Sequence, residues 1–289
     1  MIVYTAIFDR YDKLFEPCEV NDKIEYICFT DDTELESENW NVKIFERDDM
    51  GPAEMNRLLK LFPHNFLEDY ESEFSLYVDG NIQIRSDLDK ILDHMEQKSP
   101  IAAPAHPERS TIAEEATRLI ELDKADSNQV RSQIERYEYQ GYTDQLPLTD
   151  NCVLLRRHSD PKVQKAMDDW WEEYKSGVNR DQIGFGYTLW KNNIDLHILD
   201  FTPEYYFIPK SNERFRLHPH CPDGIYQALW PALVDIRGTC STSLYHRLLY
   251  VIVTVLLSIK IKGITKTYQM NKSRLDKIWT ESKIYEFKN

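Results

Sequence analysis

The feature that most constrains this chain is a recurring unit, a short apolar run that stops abruptly at an acidic turn. Residues 2–8 (IVYTAIF) run into Asp9, residues 25–30 (EYICFT) into Asp31 and Asp32, and residues 74–78 (FSLYV) into Asp79-Gly80-Asn81. Runs this short, rich in β-branched and aromatic residues, suit buried strands. Residues 40–45 (WNVKIF) alternate like another strand. Between them and residue 74, the segment GPAEMNRLLKLFPH (51–64) places Met55, Leu58, Leu59 and Phe62 at helical spacing, with Pro52 suited to a first turn. Such alternation predicts a mostly parallel α/β sheet flanked by helices, whose ligands collect beyond the carboxyl ends of the strands. Asp31, Asp32 and Asp79 all fall at such ends.

The length of 289 residues allows one large domain or two small ones, since single cores stop growing at about 250–300 residues. Lysine and arginine total 35 against 49 acidic side chains, a net charge of -14. A phosphate-backbone binder needs a broad basic face, so nucleic acid is excluded as a partner. Cys18, Cys28, Cys152, Cys221 and Cys240 include no C-x-x-C pair, and their odd number leaves one unpaired under full oxidation. Reduced thiols are expected. With no charged leader before the first apolar run, so is a cytoplasmic location.

Charge is uneven. Residues 246–289 hold nine basic and three acidic side chains, a local charge of +6 that leaves -20 for the remainder. This tail opens with the most apolar run in the chain, residues 248–259 (LLYVIVTVLLSI), well short of the ~20 residues that span a bilayer. Two readings stay open: a helix lying at the inner face of an anionic membrane, giving peripheral contact through 246–289, and a core or partner-binding helix.

The turn Asp79-Gly80-Asn81 presents two hard oxygen ligands, suited to Mn2+ or Mg2+, with a glycine between them that would let a phosphate approach the backbone. Asp-Gly and Gly-Asn are also ordinary turn dipeptides. In RFRLHPH (214–220), an extended chain would put His218 and His220 on one side as further ligands, against the alternative of surface imidazoles in a loop.

Several blocks extend the pattern. YTAIFDRYD (4–12), EYICFTDD (25–32), NRLLKLFPH (56–64) and YVDGN (77–81) are followed by HPERSTIAEEA (106–116), QIERYEYQGY (133–142), LPLTDNCVLLRRH (146–158) and NRDQIGFGYTLWK (179–191). In this order they resemble a glycosyltransferase-like family, once a domain of unknown function, over roughly residues 1 to 220. It includes plant proteins linked to seed mucilage and turgor regulation, and bacterial and viral enzymes that glycosylate polysaccharides.

The resemblance implies a GT-A fold, a Rossmann-like sheet that binds a nucleoside-diphosphate sugar, commonly with Mn2+ or Mg2+. Residues 1–230 would form this domain, with 1–90 the nucleotide-binding half and 91–230 the acceptor half, and 231–289 a helical extension. Thr5, Ile7, Tyr11 and Asp31 would line the base and ribose pocket. Arg57 and Lys60, one helical turn apart, would offset the diphosphate or else decorate a solvated face. Asp79 would hold the metal with Asn81 and a histidine, His220 ahead of His218. Asn81 departs from the second aspartate of many relatives, and an amide is the weaker ligand.

Asp181 and Gln182 in the R-D-Q block would approach the transferred sugar. Asp181 would take the acceptor proton in an inverting enzyme, or position the sugar in a retaining one, unless it merely caps a helix. His106 and Arg109 are candidates for donor-sugar or acceptor contact. Trp170 and Trp171 suit the core better than a sugar-stacking platform.

The expected activity is metal-assisted hexosyl or deoxyhexosyl transfer from a UDP- or GDP-linked sugar to a glycan or lipid-linked glycan acceptor, as in capsule or O-antigen synthesis. The rivals are a metal-dependent hydrolase using the same Asp79 site and a carbohydrate-binding protein with a decayed site.

Overall fold

A computed structural model describes residues 1–46, 49–86, 88, 91, 99–201, 203, 214–218, 220, 230–240, 243, 245–246, 248–256 and 259. Seven strands form the main sheet: β1 (Ile2–Ile7), β2 (Glu25–Thr30), β3 (Asn41–Ile44), β4 (Ser75–Val78), β6 (Ile101–Pro104), β7 (Val153–Arg156) and β8 (Leu196–Leu199). Their order is β3-β2-β1-β4-β7-β6-β8. β7 runs against both of its neighbours, and every other pairing is parallel. The mostly parallel α/β class expected from the strand–helix alternation is therefore the one observed.

Burial follows strand position. The interior strands β1, β4, β6 and β7 are buried along their whole length, as unbroken apolar runs require of a sheet covered on both faces. The edge strand β3 is largely exposed and carries Lys43, a charge that discourages edge pairing. Side chains alternate across the sheet. Ile2, Tyr4, Ala6 and Phe8 pack under one helical layer, α1 (Pro52–Leu61), α5 (Pro161–Ser176) and α6 (Asp181–Lys191), through Met55, Leu59, Trp170 and Phe185. Val3 and Ile7 face the opposite cluster with Leu76, Val78, Trp40 and Phe215. α2 (Pro63–Phe66) follows α1, and α3 (Ile112–Glu121) and α4 (Ser127–Tyr139) build a satellite cluster against α6. Trp170 is wholly buried, as expected of a core tryptophan.

A second sheet pairs β5 (Ile82–Ile84), just after the Asp79 turn, antiparallel with β9 (Phe215–Leu217). That pairing draws the late histidine segment against the turn: His218 N–H donates to the Asn81 carbonyl at 2.9 Å. Asn81 Nδ2 donates back to the His218 carbonyl at 2.8 Å. α7 (Trp230–Gly238) lies beyond, its Val234 packed with Phe15 and Val253.

One expectation fails. Cys18 and Cys240 form a disulfide across 222 residues, while Cys28 and Cys152 are buried free thiols and Cys221 lies outside the described residues. Spacing along the chain could not reveal this pair, because the loop after β1 and the residues after α7 meet only in the fold. Most of the basic tail, residues 260–289, also lies outside the described residues. Among the described residues no helix is long and apolar enough to cross a membrane.

Beneath the sheet's centre, the Tyr4 hydroxyl donates to the Lys60 carbonyl at 3.1 Å and accepts from Arg156 Nη2, tying β1 to α1 and β7. Arg156 is fully buried, and no carboxylate among the described residues pairs with it. Burial pushes the Tyr4 pKa up to about 12, so the phenol stays neutral. Tyr4→Phe should therefore lower stability in urea unfolding by ~1–3 kcal/mol, because a buried charged donor loses its acceptor. Adding Arg156→Met should recover part of that loss.

Candidate functional site at the carboxyl ends of the strands

Asp79 leaves β4 with its N–H donated to the Cys152 carbonyl at 2.8 Å and its carbonyl accepting from Ile82 N–H at 2.9 Å. Its side chain is 31% exposed at the sheet's end. The proline-started helix α1 brings Lys60 beneath it: Nζ, 1% exposed, lies 3.5 Å from Asp79 Oδ1 and 2.8 Å from Asp181 Oδ2. The ammonium also sits 5.1 Å from the centre of the Tyr77 ring. Arg57, one turn earlier and half-buried, places Nε 3.6 Å from Asp181 Oδ2.

Asp181 is the first residue of α6 and is itself buried; Trp170 Nε1 donates to its carbonyl at 2.9 Å. Arg180 holds the N-cap position, so Asp181 does not serve as the cap. Burial alone would raise the Asp181 pKa, but Arg57 and Lys60 outweigh it and hold the carboxyl well below the usual carboxylate range. The group is a permanent anion enclosed by two cations. Gln182 follows, half-buried, with its Oε1 unpartnered among the described residues.

A third carboxylate was not picked out by sequence reasoning. Asp150 belongs to the turn before β7, where its N–H donates to the Pro104 carbonyl at 2.9 Å. Burial, then the charge of Asp79, pushes its pKa up to about 6. The block LTDNC carried the signal, an acid and an amide immediately before a buried apolar strand. The neighbouring Asn151 is buried with Nδ2 unpartnered among the described residues.

The expected metal ligands divide into two pairs. His220 Nδ1 lies 2.7 Å from Asp12 Oδ1, and its ring is 4.8 Å from that of Tyr11. Burial would lower the His220 pKa, but the hydrogen bond and charge of Asp12, with the charge of Asp79, raise it. His218 is buried, stacked 3.9 Å from Phe15, with Nε2 3.3 Å from Gln83 Oε1. Burial, then Arg237 and Arg216, push its pKa far down, and those same cations would repel a metal. Asn81 is buried with its amide nitrogen committed to His218.

Among the described residues no three His, Cys, Asp or Glu side chains converge into a metal cage. Asp79 and His220, both reaching solvent at this corner, are the residues that could hold a divalent cation, whereas the cations around His218 oppose one. Gly80 has a packing reason of its own. A Cβ there would fall 2.7 Å from Ile7 Cγ1 and 3.2 Å from Asp12 Oδ2, so the bare backbone lets the Asp12 loop close on the turn.

Beyond β1 and β2 lies a cleft of about 210 Å3 lined by Asp9, Arg10, Asp31, Asp32 and Thr33. Consecutive left-handed residues, Asp9 at φ 57° and Arg10 at φ 51°, shape its floor. Asp9 N–H donates to Asp31 Oδ1 at 2.9 Å, and Arg10 Nη2 donates to Asp32 and Glu34 at 2.8 Å each. Of the other expected pocket residues, Thr5 is buried in β1 with its hydroxyl unpartnered among the described residues, Ile7 is core, and Tyr11 is exposed beside His220.

His106 and Arg109 form a separate cluster. Arg109 Nε donates to the buried Glu115 at 2.5 Å, and Arg109 Nη2 lies 2.8 Å from His106 Nε2. Burial, then Arg109, lowers the His106 pKa. Arg180 Nη2, 3.9 Å from Glu115 Oε1, links this cluster to the start of α6.

Opposed charges gather beyond the carboxyl ends of the strands of a mostly parallel sheet, the place where ligands of open α/β sheets collect. Residues 1–204 match the TOD1/MUCI70 glycosyltransferase-like domain, and the chain belongs to that family. No curated protein matches it. It is similar to the apo structure of mouse xyloside xylosyltransferase 1, at 11% identity and TM-score 0.41 over 68% of this chain and 84% of the other. Similarity to the apo bifunctional glycosyltransferase WbbM is 10% identity and TM-score 0.43, over 68% and 38%. For the glycosyltransferase GlyE of Streptococcus pneumoniae TIGR4 it is 14% and 0.38, over 69% and 45%.

The raised Asp150 pKa has a direct consequence for stability. A carboxyl whose folded pKa exceeds its unfolded ~3.9 contributes fully below the unfolded value and loses that contribution as pH rises through about 6. Asp150→Asn should stabilise the protein by about 2 kcal/mol near neutral pH and not below pH ~4, measured by urea unfolding across that window.

Proposed function

We propose that this protein is a glycosyltransferase that moves a hexosyl or deoxyhexosyl group from a UDP- or GDP-linked sugar to a glycan or lipid-linked glycan acceptor, as in polysaccharide assembly. The observation that carries the reading is the meeting of Asp79, Asp181, Asp150, Arg57 and Lys60 at one corner, in a chain of a glycosyltransferase-like family.

The acidic cleft beside Asp31 takes the base and ribose, which leads the diphosphate toward Asp79. Half-buried Arg57 is the cation available to the diphosphate. Lys60 is enclosed, and its part is to hold Asp79 and Asp181 in place. Asp79 and His220 would hold Mn2+ or Mg2+, which when bound would offset charge developing on the leaving diphosphate. With two cations against it, Asp181 stays ionised and accepts hydrogen bonds from sugar hydroxyls, helped by Gln182. Asp150, whose pKa is raised to about 6, has the proton affinity better suited to drawing a proton from an acceptor hydroxyl. His106 and Arg109 border the acceptor side.

A thermal-shift screen of nucleotide sugars with and without Mn2+ tests binding, because a ligand of the folded state raises its stability. Asp79→Ala should abolish both donor binding and transfer. Asp181→Asn should lower the melting temperature, because Lys60 loses its main counter-charge, yet keep donor binding below that temperature and lose transfer by at least ~100-fold in kcat, the scale of a lost electrostatic contact in a transition state. Full turnover by Asp181→Asn would remove it from the reacting centre. Steady nucleotide release without an acceptor would instead mark a hydrolase.

A further inference from the structure

The described residues near the end of the chain carry two unlike faces. Residues 248–256 are helical. Their inner face is buried: Tyr250 accepts from Arg237 Nη2 at 3.1 Å, with the guanidinium carbons of Arg216 and Arg237 at 4.7 and 4.9 Å from its ring centre. Val253 packs on Phe15 and Val234. The outer positions Tyr245, Leu248, Ile252, Leu256 and Ile259 are 36–67% exposed. Their spacing of three or four residues is that of one helical stripe. Among the described residues ten large hydrophobics are exposed, and these five fall within fifteen positions, so the stripe is a patch rather than scattered surface.

We propose that this stripe docks the protein on an anionic lipid surface. Charge complementarity selects that occupant. Residues 246–289 carry +6 while the rest of the chain carries -20. A bilayer with acidic headgroups offers an apolar layer for the stripe, a negative plane for the lysines that follow, and repulsion that keeps the acidic body off the surface. A second copy seated on the stripe would bring two +6 segments together.

The placement reaches the candidate site. The helix rests on Phe15, in the loop whose Asp12 holds His220 and whose Cys18 is bonded to Cys240. Docking would therefore bear on the loop that holds His220 beside the Asp79 corner. The docking itself does not depend on the transferase reading.

Flotation of the full chain with vesicles tests it. The protein should float with phosphatidylcholine–phosphatidylglycerol vesicles and not with phosphatidylcholine alone, and rising salt should weaken the association. Leu248→Gln with Leu256→Gln changes no charge and removes two exposed apolar groups. This pair should cut binding at least tenfold with an unchanged melting temperature, and Tyr245→Gln with Ile252→Gln should repeat the loss. Wild-type protein that ignores anionic vesicles, or variants that bind them as well as wild type, would overturn the proposal. So would a dimer that the double variant dissolves without any vesicle binding, which would assign the stripe to a second copy.

Discussion

The structure turns on a buried lysine. Lys60 is enclosed between α1, β4 and α6, with Asp181 and Asp79 as its counter-charges and the Tyr77 ring beside it. Taking an ammonium out of water is costly unless carboxylates meet it, and removal of one partner strands the other. The pair therefore fixes how α1 lies against the start of α6, and Trp170 locks Asp181 from behind through its backbone carbonyl. The same contacts hold Asp79 at the end of β4. Folding and the candidate chemistry thus depend on one set of charges.

Much of this was legible in the sequence. Unbroken apolar runs ending in acids marked β1, β2 and β4 within a residue or so, because strands covered on both faces need no polar alternation. Met55, Leu59 and the early proline marked α1. The ordered motifs also marked the family. The contacts that assemble the corner were not legible, since they join residues far apart in the chain. His220 meets Asp12 across 208 positions, and Lys60 meets Asp181 across 121. Two histidines in an extended stretch share a side, yet only packing decides that His218 turns into a cationic, aromatic pocket while His220 stays at the surface. Asp150 escaped notice because a lone acid before a strand is ordinary until burial and the charge of Asp79 raise its pKa.

The loop after β1 ties the molecule's two ends. It shapes the cleft through the left-handed Asp9 and Arg10, reaches His220 through Asp12, supports the C-terminal helical residues through Phe15 and is bonded to Cys240 through Cys18. Gly80 allows this loop to close on the turn after β4. The reduced-thiol expectation failed at this junction, where the N-terminal and C-terminal segments interlock.

The proposed transfer requires a sugar nucleotide's diphosphate to lie at the corner made by Asp79, Arg57 and His220. A crystal structure of the protein with UDP or GDP and Mn2+ tests it most directly. Diphosphate oxygens should lie beside the Arg57 guanidinium, with the metal on Asp79 and His220. A nucleotide bound elsewhere, or an empty corner at saturating ligand, would contradict it.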